Sequence, residues 1–307
     1  MALRLIGHVE LPPHAGRGAF DHAAVHQARG RLYVAHTAND ALDVIDTAAG
    51  RHVGSIGKLP AVAGALVSDE RDLVFTSNRG ENSVGIVAAG DAASIVRVPV
   101  GIRPNGLAYD PDHDLLLAAN VGDPARPESF TATLVDVGRR TVVADVPVAG
   151  RTRWAVFDRA TGLFYVNIAT PPWIQVIDGA TRTVVRTIPI PAEGPHGLDL
   201  DAVRRRLVCA CDGGALVEVD LATWEAVTRA TLSGAPDVIF FNARLRHLYV
   251  AIGEPGVIDV FDTETWRRIE SVPTERGAHT LGFDAGHDVV YAFLPETHRA
   301  AVYRDVA

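Results

Sequence analysis

The chain has 307 residues, of which 48% are hydrophobic and 21% are charged, and its formal net charge is −8. This composition is ample for a buried core and unlike that of a disordered chain. The negative charge argues against a nucleic-acid partner, which would need clustered Lys and Arg. No apolar run approaches the ~18 residues of a membrane span, so no membrane partner is expected either.

Residues 3 to 11 have the pattern of a β-strand and lack the long apolar segment of a signal peptide. As given, the chain is expected in the cytoplasm, although a trimmed export signal would be invisible. The strand has no partner in its own part of the chain. We expect its partner to come from the far end.

A unit of similar length recurs along the whole chain. In its clearest copy, residues 194–210, a proline and a polar residue enter a short apolar strand, an Asp-rich turn follows, and a second apolar strand comes next. Aligning the copies on the polar residue gives positions 41 to 48 residues apart: Asp21, Ala63, Asn105, Arg153, His196, Asp237 and His279. Seven copies predict an all-β repeat architecture of four-stranded antiparallel sheets. Since each repeat buries its apolar faces only against its neighbours, residues 1–307 are expected to form a single domain.

The last repeat ends after its third strand, at residues 301–304. Residues 3 to 11 would supply the missing outer strand, which closes the ring and removes two exposed sheet edges. An aspartate follows the third strand in five repeats, where its side chain caps free backbone N–H groups: Asp46, Asp136, Asp178, Asp220 and Asp262. Two cysteines, Cys209 and Cys211, lie two apart in one strand and are interpreted as small buried thiols without a disulfide.

Several motifs together resemble the YVTN-repeat β-propellers. They are Leu32-Tyr33-Val34-Ala35, Leu248-Tyr249-Val250-Ala251, Val44-Ile45-Asp46-Thr47, and the P-x-G entries Pro104-Asn105-Gly106 and Pro195-His196-Gly197. The resemblance covers essentially the whole chain and implies a seven-bladed β-propeller. It also implies that the loops entering the inner strands surround one mouth of a central channel. It does not select a function, because such propellers include binding proteins, surface proteins and enzymes.

In that geometry the aligned positions form a ring at the mouth. Four consecutive blades contribute residues of the kinds that bind divalent metals, and the predicted ligands are His22, His196, Asp237 and His279. Imidazole and carboxylate together suit Zn, Mn or Fe rather than Ca. The other side of the ring presents Arg153 as a cation for developing negative charge, with Asn105 and Trp154 as walls for a small-molecule substrate.

This set predicts a metal-dependent hydrolase that acts on an ester, lactone or phosphoester. Metal-bound water would be the nucleophile, and Asp21 or Glu254 would take its proton. Glu254 lies in one of the loops between second and third strands, whose polar residues also include Asp212, Glu296 and His298. Most of these residues are interpreted as turn formers, and Glu296 is, with Glu254, the best candidate for a general base or for a partner that orients a ligand. An insertion in one such loop, residues 122–128, is a candidate lid.

The alternative is a propeller without catalytic activity that binds a small molecule or a protein on the same face. Polar residues at a channel mouth often only satisfy the edge of the inner strand or cap the next turn. His26, His36 and His247 fall outside the repeat register and are interpreted as ordinary strand or loop residues. The sequence contains no serine-nucleophile elbow, Walker loop or dinucleotide-binding motif, and it does not indicate the oligomeric state.

Overall fold

The computed structural model describes residues 2–15 and 19–306. These form seven four-stranded antiparallel sheets arranged as the blades of a propeller. The strands are numbered β1 to β28 in chain order, and each blade runs from an inner strand beside the central channel to an outer strand at the rim. Within the described residues, no helix is long and apolar enough to span a membrane.

The inner strands are β2 (Ala23–His26), β6 (Val62–Ser68), β10 (Pro104–Asp110), β14 (Thr152–Asp158), β18 (Pro195–Asp201), β22 (Pro236–Asn242) and β26 (Leu281–Asp284). The second strands are β3 (Arg31–His36), β7 (Leu73–Asn78), β11 (Leu115–Asn120), β15 (Leu163–Ile168), β19 (Arg206–Cys211), β23 (His247–Ile252) and β27 (Val289–Leu294).

The third strands are β4 (Ala41–Asp46), β8 (Ser83–Ala88), β12 (Thr131–Asp136), β16 (Trp173–Asp178), β20 (Ala215–Asp220), β24 (Val257–Asp262) and β28 (Arg299–Asp305). The outer strands are β5 (Arg51–Ile56), β9 (Asp91–Pro99), β13 (Thr141–Pro147), β17 (Thr183–Pro189), β21 (Ala226–Thr231), β25 (Arg268–Pro273) and β1 (Leu3–Glu10). Two short 3₁₀ turns lie at Thr37–Asn39 and Pro127–Ser129.

The ring closes as predicted, because β1 completes the last blade. It pairs antiparallel with β28, with Leu3 opposite Asp305 and Glu10 opposite Arg299. The strand ends one residue before the predicted boundary. The inner strand of the first blade begins two residues later than Asp21, so Asp21 and His22 lie in the segment that enters it.

The core lies between neighbouring blades, where second and third strands are buried on both faces. Leu32 and Ile45 of the first blade pack with Tyr291 and Phe293 of the last. Continuous apolar runs are required because each face of such a strand meets an adjacent sheet. Cys209 and Cys211 are buried and free, as predicted, with their sulfur atoms 3.8 Å apart.

The Asp-led turns also form as predicted. Backbone N–H groups two or three residues later donate to the aspartate side chain, at 2.8 Å from Ala49 to Asp46 and 2.7 Å from Ala222 to Asp220. Such caps fix the turn between the third and outer strands. They fix the third and outer strands of a blade relative to each other and have no part in the channel mouth.

Candidate functional site at the channel mouth

The glycines of the P-x-G entries bring neighbouring blades together at the mouth. A Cβ atom on Gly106 would clash with the carbonyl oxygen of Arg153, and one on Gly197 would lie 2.5 Å from that of Asp237. Because only a residue without a side chain permits this approach, the polar residue of one blade is held against the entry of the next. The aligned positions therefore converge through the backbone.

His196 is the centre of the most connected part of the mouth. Its Nδ1 lies 2.7 Å from Asp212 Oδ1, and its Nε2 lies 3.1 Å from Asp237 Oδ1. On the far side of Asp237, His279 Nε2 is 3.8 Å from Oδ2, while His279 Nδ1 lies 2.7 Å from the Gly277 carbonyl oxygen. Three blades thus meet at one carboxylate.

Carboxylates on both sides make His196 a cation at neutral pH. Burial lowers its pKa, but Asp237 and Asp212 outweigh burial and raise the pKa to about 9. Burial raises the pKa of Asp237, but His196, followed by His279 and His22, outweighs it and holds that pKa well below its ordinary value. Both ring nitrogens of His196 accordingly donate hydrogen bonds.

Arg153 lies beside this imidazolium. Its Nη2 donates to Asp212 Oδ2 at 3.2 Å, and its Nη1 is 3.1 Å from His196 Nε2. A protonated Nε2 cannot accept a hydrogen bond, so the second approach brings two cations together. The negative charge of Asp212, which contacts both cations, and that of Asp237, which contacts His196, offset the repulsion between Arg153 and His196.

The opposite part of the ring is organised by Arg79. Its Nη2 lies 3.1 Å from Asp21 Oδ2 and also donates to Asn105 Oδ1. His22 is buried beside Asp21, with its ring centroid 4.0 Å from that of Trp154 across the channel. Burial, the largest effect, lowers the pKa of His22, so this histidine is neutral at pH 7.

The rings of His22 and Trp154 separate the mouth from the channel beneath. They stand at one end of a cavity of about 550 Å³ that follows the inner strands to Glu70 and Pro111 at the other end. Leu107, Tyr109, Phe157, Phe240 and Phe283 are among its mostly apolar walls. A ligand entering from the mouth therefore meets an aromatic floor.

Positive charge is in excess around the mouth. Arg103 and Arg151 each immediately precede an inner strand, and burial, followed by Arg153 and Arg103, lowers the pKa of Arg151. Together the cations are Arg79, Arg103, Arg151, Arg153 and His196, and the carboxylates are Asp21, Asp212 and Asp237. A local excess of cations in a chain of net charge −8 attracts anions to this face.

Two of these arginines have an unpaired buried nitrogen. Nε of Arg79 and Nε of Arg153 are inaccessible to solvent and have no hydrogen-bond partner in the described structure. The exposed fractions of the two side chains are 27% and 18%. A buried donor without a partner costs free energy, and the cost is larger on a charged group. Each guanidinium can therefore still donate a hydrogen bond to an added acceptor.

Most of the residues predicted for the site come together. Asp21, His22, Asn105, Arg153, Trp154, His196, Asp237 and His279 all take part in the contacts above. Glu254 does not, because it forms an exposed ion pair with Arg276 at 2.5 Å. Asp212, which had been interpreted as a turn residue, instead provides the carboxylate that orients His196.

Sequence reasoning missed Arg79, Arg103, Arg151 and the role of Asp212. Arg79 and Asp212 are each the first residue after the second strand of their blades, and Arg103 and Arg151 each precede the inner strand by one. Aligning the repeats at these two further positions would have found all four.

The predicted metal ligands are close to one another but do not form a cage. Within residues 2–15 and 19–306, no group of three or more His, Cys, Asp and Glu side chains is arranged, as placed, to hold a metal ion. At the mouth, His196 Nε2 is engaged by Asp237 and approached by Arg153. The arrangement is one of hydrogen-bonded ion pairs, and the divalent metal stays a prediction.

The insertion in the third blade is folded and tied to the mouth. Gly122 N donates to Ile102 O at 2.9 Å, and Val121 N donates to Arg103 O at 3.0 Å. Asp123 and Arg126 form an isolated bridge within the loop. The loop therefore helps to position Arg103, while its use as a lid stays a prediction.

The fold has close structural counterparts. A chain of the Kuenenia stuttgartiensis hydrazine synthase is similar, with a TM-score of 0.85 and 13% sequence identity over 95% of this chain and 97% of that one. At this identity the likeness shows the β-propeller fold alone. No protein-family model and no curated protein matches the chain, so membership of the YVTN-repeat family stays a prediction.

Proposed function

We propose that this protein is a binding propeller whose channel mouth takes up a small anionic molecule bearing a carboxylate or phosphate group. The observation that carries the proposal is the pair of buried, unpaired Nε atoms on Arg79 and Arg153. An anion supplies the acceptors that these donors lack once the partly exposed guanidinium groups turn toward it. Guanidinium groups suit this role because they donate in a fixed planar fork that matches carboxylate and phosphate oxygens.

The carboxylates of the mouth support this function rather than oppose it. Asp21 holds Arg79, and Asp212 holds both Arg153 and His196. Each is engaged by a cation, so the carboxylates fix the positions of the cations before a ligand arrives. Such preorganisation lowers the entropy cost of binding.

The neutral part of the ligand would lie against the rings of His22 and Trp154. These rings close the mouth toward the apolar channel, and their tilted packing, with 49° between the ring planes, offers an aromatic surface of low polarity. This favours a ligand of modest size with a planar or apolar portion next to its acidic group. Deeper entry would require the two rings to separate.

A titration series tests the proposal. Chelator-treated protein is titrated calorimetrically with inorganic phosphate and with aromatic and aliphatic carboxylates, and the hits are repeated with Arg79→Gln and Arg153→Gln. We expect binding that weakens in both variants and is unchanged in Arg276→Gln, which removes an exposed arginine outside the mouth. Absence of binding across both ligand classes, or equal binding by all variants, would refute the proposal.

A metal-dependent hydrolase is the second candidate, and one observation favours it. The Nδ1 atoms of His196 and His279 are held by Asp212 and the Gly277 carbonyl, and both Nε2 atoms face Asp237. Outer hydrogen bonds of this kind orient metal-binding histidines. Metal binding there would require Arg153 to turn away from His196 and His196 to lose its proton.

Elemental analysis of protein purified without added metal tests this second candidate. A stoichiometric metal that disappears in both His196→Ala and His279→Ala, together with hydrolysis of ester, lactone or phosphoester substrates, would support it. If the protein lacks metal and its ligand binding is insensitive to chelators, the hydrolase candidate is refuted and the binding function stands.

A further inference from the structure

Three histidines from distant parts of the sequence meet between the first and last blades, on the same face as the channel mouth. They are His14, which precedes the first blade, His36 at the end of β3, and His298 in the turn between β27 and β28. His14 Nδ1 lies 3.0 Å from His36 Nε2 and 3.2 Å from His298 Nδ1. We call these three residues the histidine cluster.

Hydrogen bonding alone leaves the histidine cluster poorly satisfied. His36 Nδ1 lies 2.7 Å from the buried carboxylate of Asp43, so the neutral ring carries its hydrogen there and presents a lone pair at Nε2. His14 Nδ1 has at most one hydrogen for its two imidazole neighbours. While all three rings are neutral, either that hydrogen is shared between two acceptors, or like groups face each other, and only an added cation, a proton or a metal ion, resolves the conflict.

We propose that His14, His36 and His298 form a binding site for a divalent transition-metal ion such as zinc, with one coordination position open to solvent. A cation between the three nitrogens converts facing lone pairs into ligands. Imidazole is a preferred ligand of Zn, Cu and Ni, and three histidines with an open fourth position form a recurring zinc site.

The surroundings of His36 match those of a metal ligand. Asp43 holds Nδ1 from behind and is itself bonded by Ser55 Oγ at 2.5 Å, so the ring is oriented with Nε2 toward the cluster. A carboxylate behind a histidine in this way fixes the tautomer and raises the basicity of the ligating nitrogen. Phe20 packs against the rings of both His14 and His36, which gives the site an apolar wall.

The segment that carries His14 is anchored on both sides of the cluster. Leu11 N donates to His298 O at 2.9 Å, and Asn39 Nδ2 donates to Pro13 O at 3.3 Å. His36 is fully buried, whereas His14 and His298 are half-buried. The accessible side of the cluster, where water or another ligand would complete the coordination, is therefore formed by His14 and His298.

As placed, no group of three or more His, Cys, Asp and Glu side chains in the described residues is arranged to hold a metal ion, so zinc binding requires the rings of the histidine cluster to shift. Ligand nitrogens at ~2.0–2.1 Å from a tetrahedral zinc ion lie about 3.3 Å apart. The separations of 3.0 and 3.2 Å from His14 Nδ1 must widen by a few tenths of an ångström, and His298 Nδ1 must also come to about 3.3 Å from His36 Nε2. Rotation of the half-buried His14 and His298 side chains provides this, with His36 fixed by Asp43.

Titration of chelator-stripped full-length protein tests the site. Zinc is titrated by calorimetry, and cobalt(II) by visible absorption, whose intensity reports four-coordinate geometry. We expect one ion per chain, and His14→Ala and His298→Ala should each weaken zinc binding by more than the ~10–100-fold typical of losing an outer hydrogen-bond partner. His287→Ala removes an exposed histidine outside the cluster and should bind zinc as the wild type does.

Three results would overturn the proposal. In the first, the wild type binds no zinc. In the second, both His14→Ala and His298→Ala bind zinc as the wild type does. In the third, zinc is lost in His196→Ala and retained in the two cluster variants. The last result would place the ion at the channel mouth and support the hydrolase candidate. Anion binding by the mouth is measured separately on chelator-stripped protein, so failure of the metal site leaves the proposed function standing.

Discussion

The channel mouth and the histidine cluster lie on one face of the propeller and use similar residues, but they differ in how their charges are matched. At the mouth, His196 is flanked by Asp212 and Asp237, whose negative charges also offset its close approach to Arg153. In the cluster, imidazole nitrogens face one another and only His36 has a carboxylate. Histidines alone thus do not indicate a metal site, because their partners decide whether they are cations or ligands.

The two regions also differ in what remains unsatisfied. The mouth has unpaired donors, the Nε atoms of Arg79 and Arg153, which call for an anion. The cluster has surplus acceptors, which call for a cation. Each region therefore predicts the sign of its own ligand, and the following experiments separate them.

The largest expected effect is on stability, from removing His36. The exposed fractions of the His36 and Asp43 side chains are 0% and 1%, so His36→Ala leaves a buried charge without its main partner. We expect a loss of about 3–5 kcal/mol in the free energy of unfolding, measured by urea denaturation. His196→Ala should cost less, because Asp212 keeps Arg153 and Asp237 keeps His279.

The double variant His36→Ala/Asp43→Ala is the matched control. It removes the charge together with its partner and should recover part of the lost stability, which a double-mutant cycle measures directly. Equal destabilisation by His36→Ala and His196→Ala would show that the two regions do not differ in this way.

The second effect is on anion affinity. Arg153→Gln removes a charge-assisted donor worth about 1.5–3 kcal/mol, so the dissociation constant of a bound carboxylate or phosphate should rise about 10–100-fold. Calorimetric titration of chelator-stripped protein, after removal of the chelator into metal-free buffer, measures it. The variant His298→Ala should leave this affinity unchanged, since the histidine cluster has no role at the mouth. A comparable loss of anion affinity in His298→Ala would show that the two regions form one site.

A smaller effect is expected with pH. The pKa of His196, about 9 in the folded protein, is raised above its ordinary value of 6.5. Its stabilising contribution is therefore complete below pH ~6.5 and is lost as the pH rises through about 9. Melting temperatures recorded from pH 6 to 10 should decline between pH ~6.5 and about 9 in the wild type and decline less in His196→Gln. Anion affinity should decline over the same pH range. Parallel curves for the two proteins would contradict the assignment.

The repeat pattern predicted the fold well because its signal is local. Apolar runs, Asp-led turns and P-x-G entries each specify one strand or turn, and seven copies reinforce one another. The missing outer strand predicted ring closure by β1 for the same reason. The convergence of His196, Asp237 and His279 followed from the register, since equivalent positions of successive blades meet at the channel.

Pairing between side chains could not be predicted in the same way. Glu254 and Asp212 occupy similar loops, yet Glu254 turns outward to Arg276 while Asp212 turns inward to His196. Asp212 is the first residue after its second strand and Glu254 is the second, but this offset alone does not identify the partner that each side chain meets. The histidine cluster was missed because His14 lies outside the repeats, and His36 and His298 occupy positions that align with no metal-type residue in most other blades.

A crystal structure of the protein grown with selenate most directly tests whether the mouth is an anion site. Anomalous scattering from selenium locates the anion without ambiguity, and chelator in the crystallisation buffer excludes a bridging metal. We predict one site between Arg79 and Arg153, with both guanidinium groups turned from their unliganded positions so that anion oxygens lie within hydrogen-bond distance of both Nε atoms. An ordered anion elsewhere, with both Nε atoms still unpaired at saturating selenate, would contradict it.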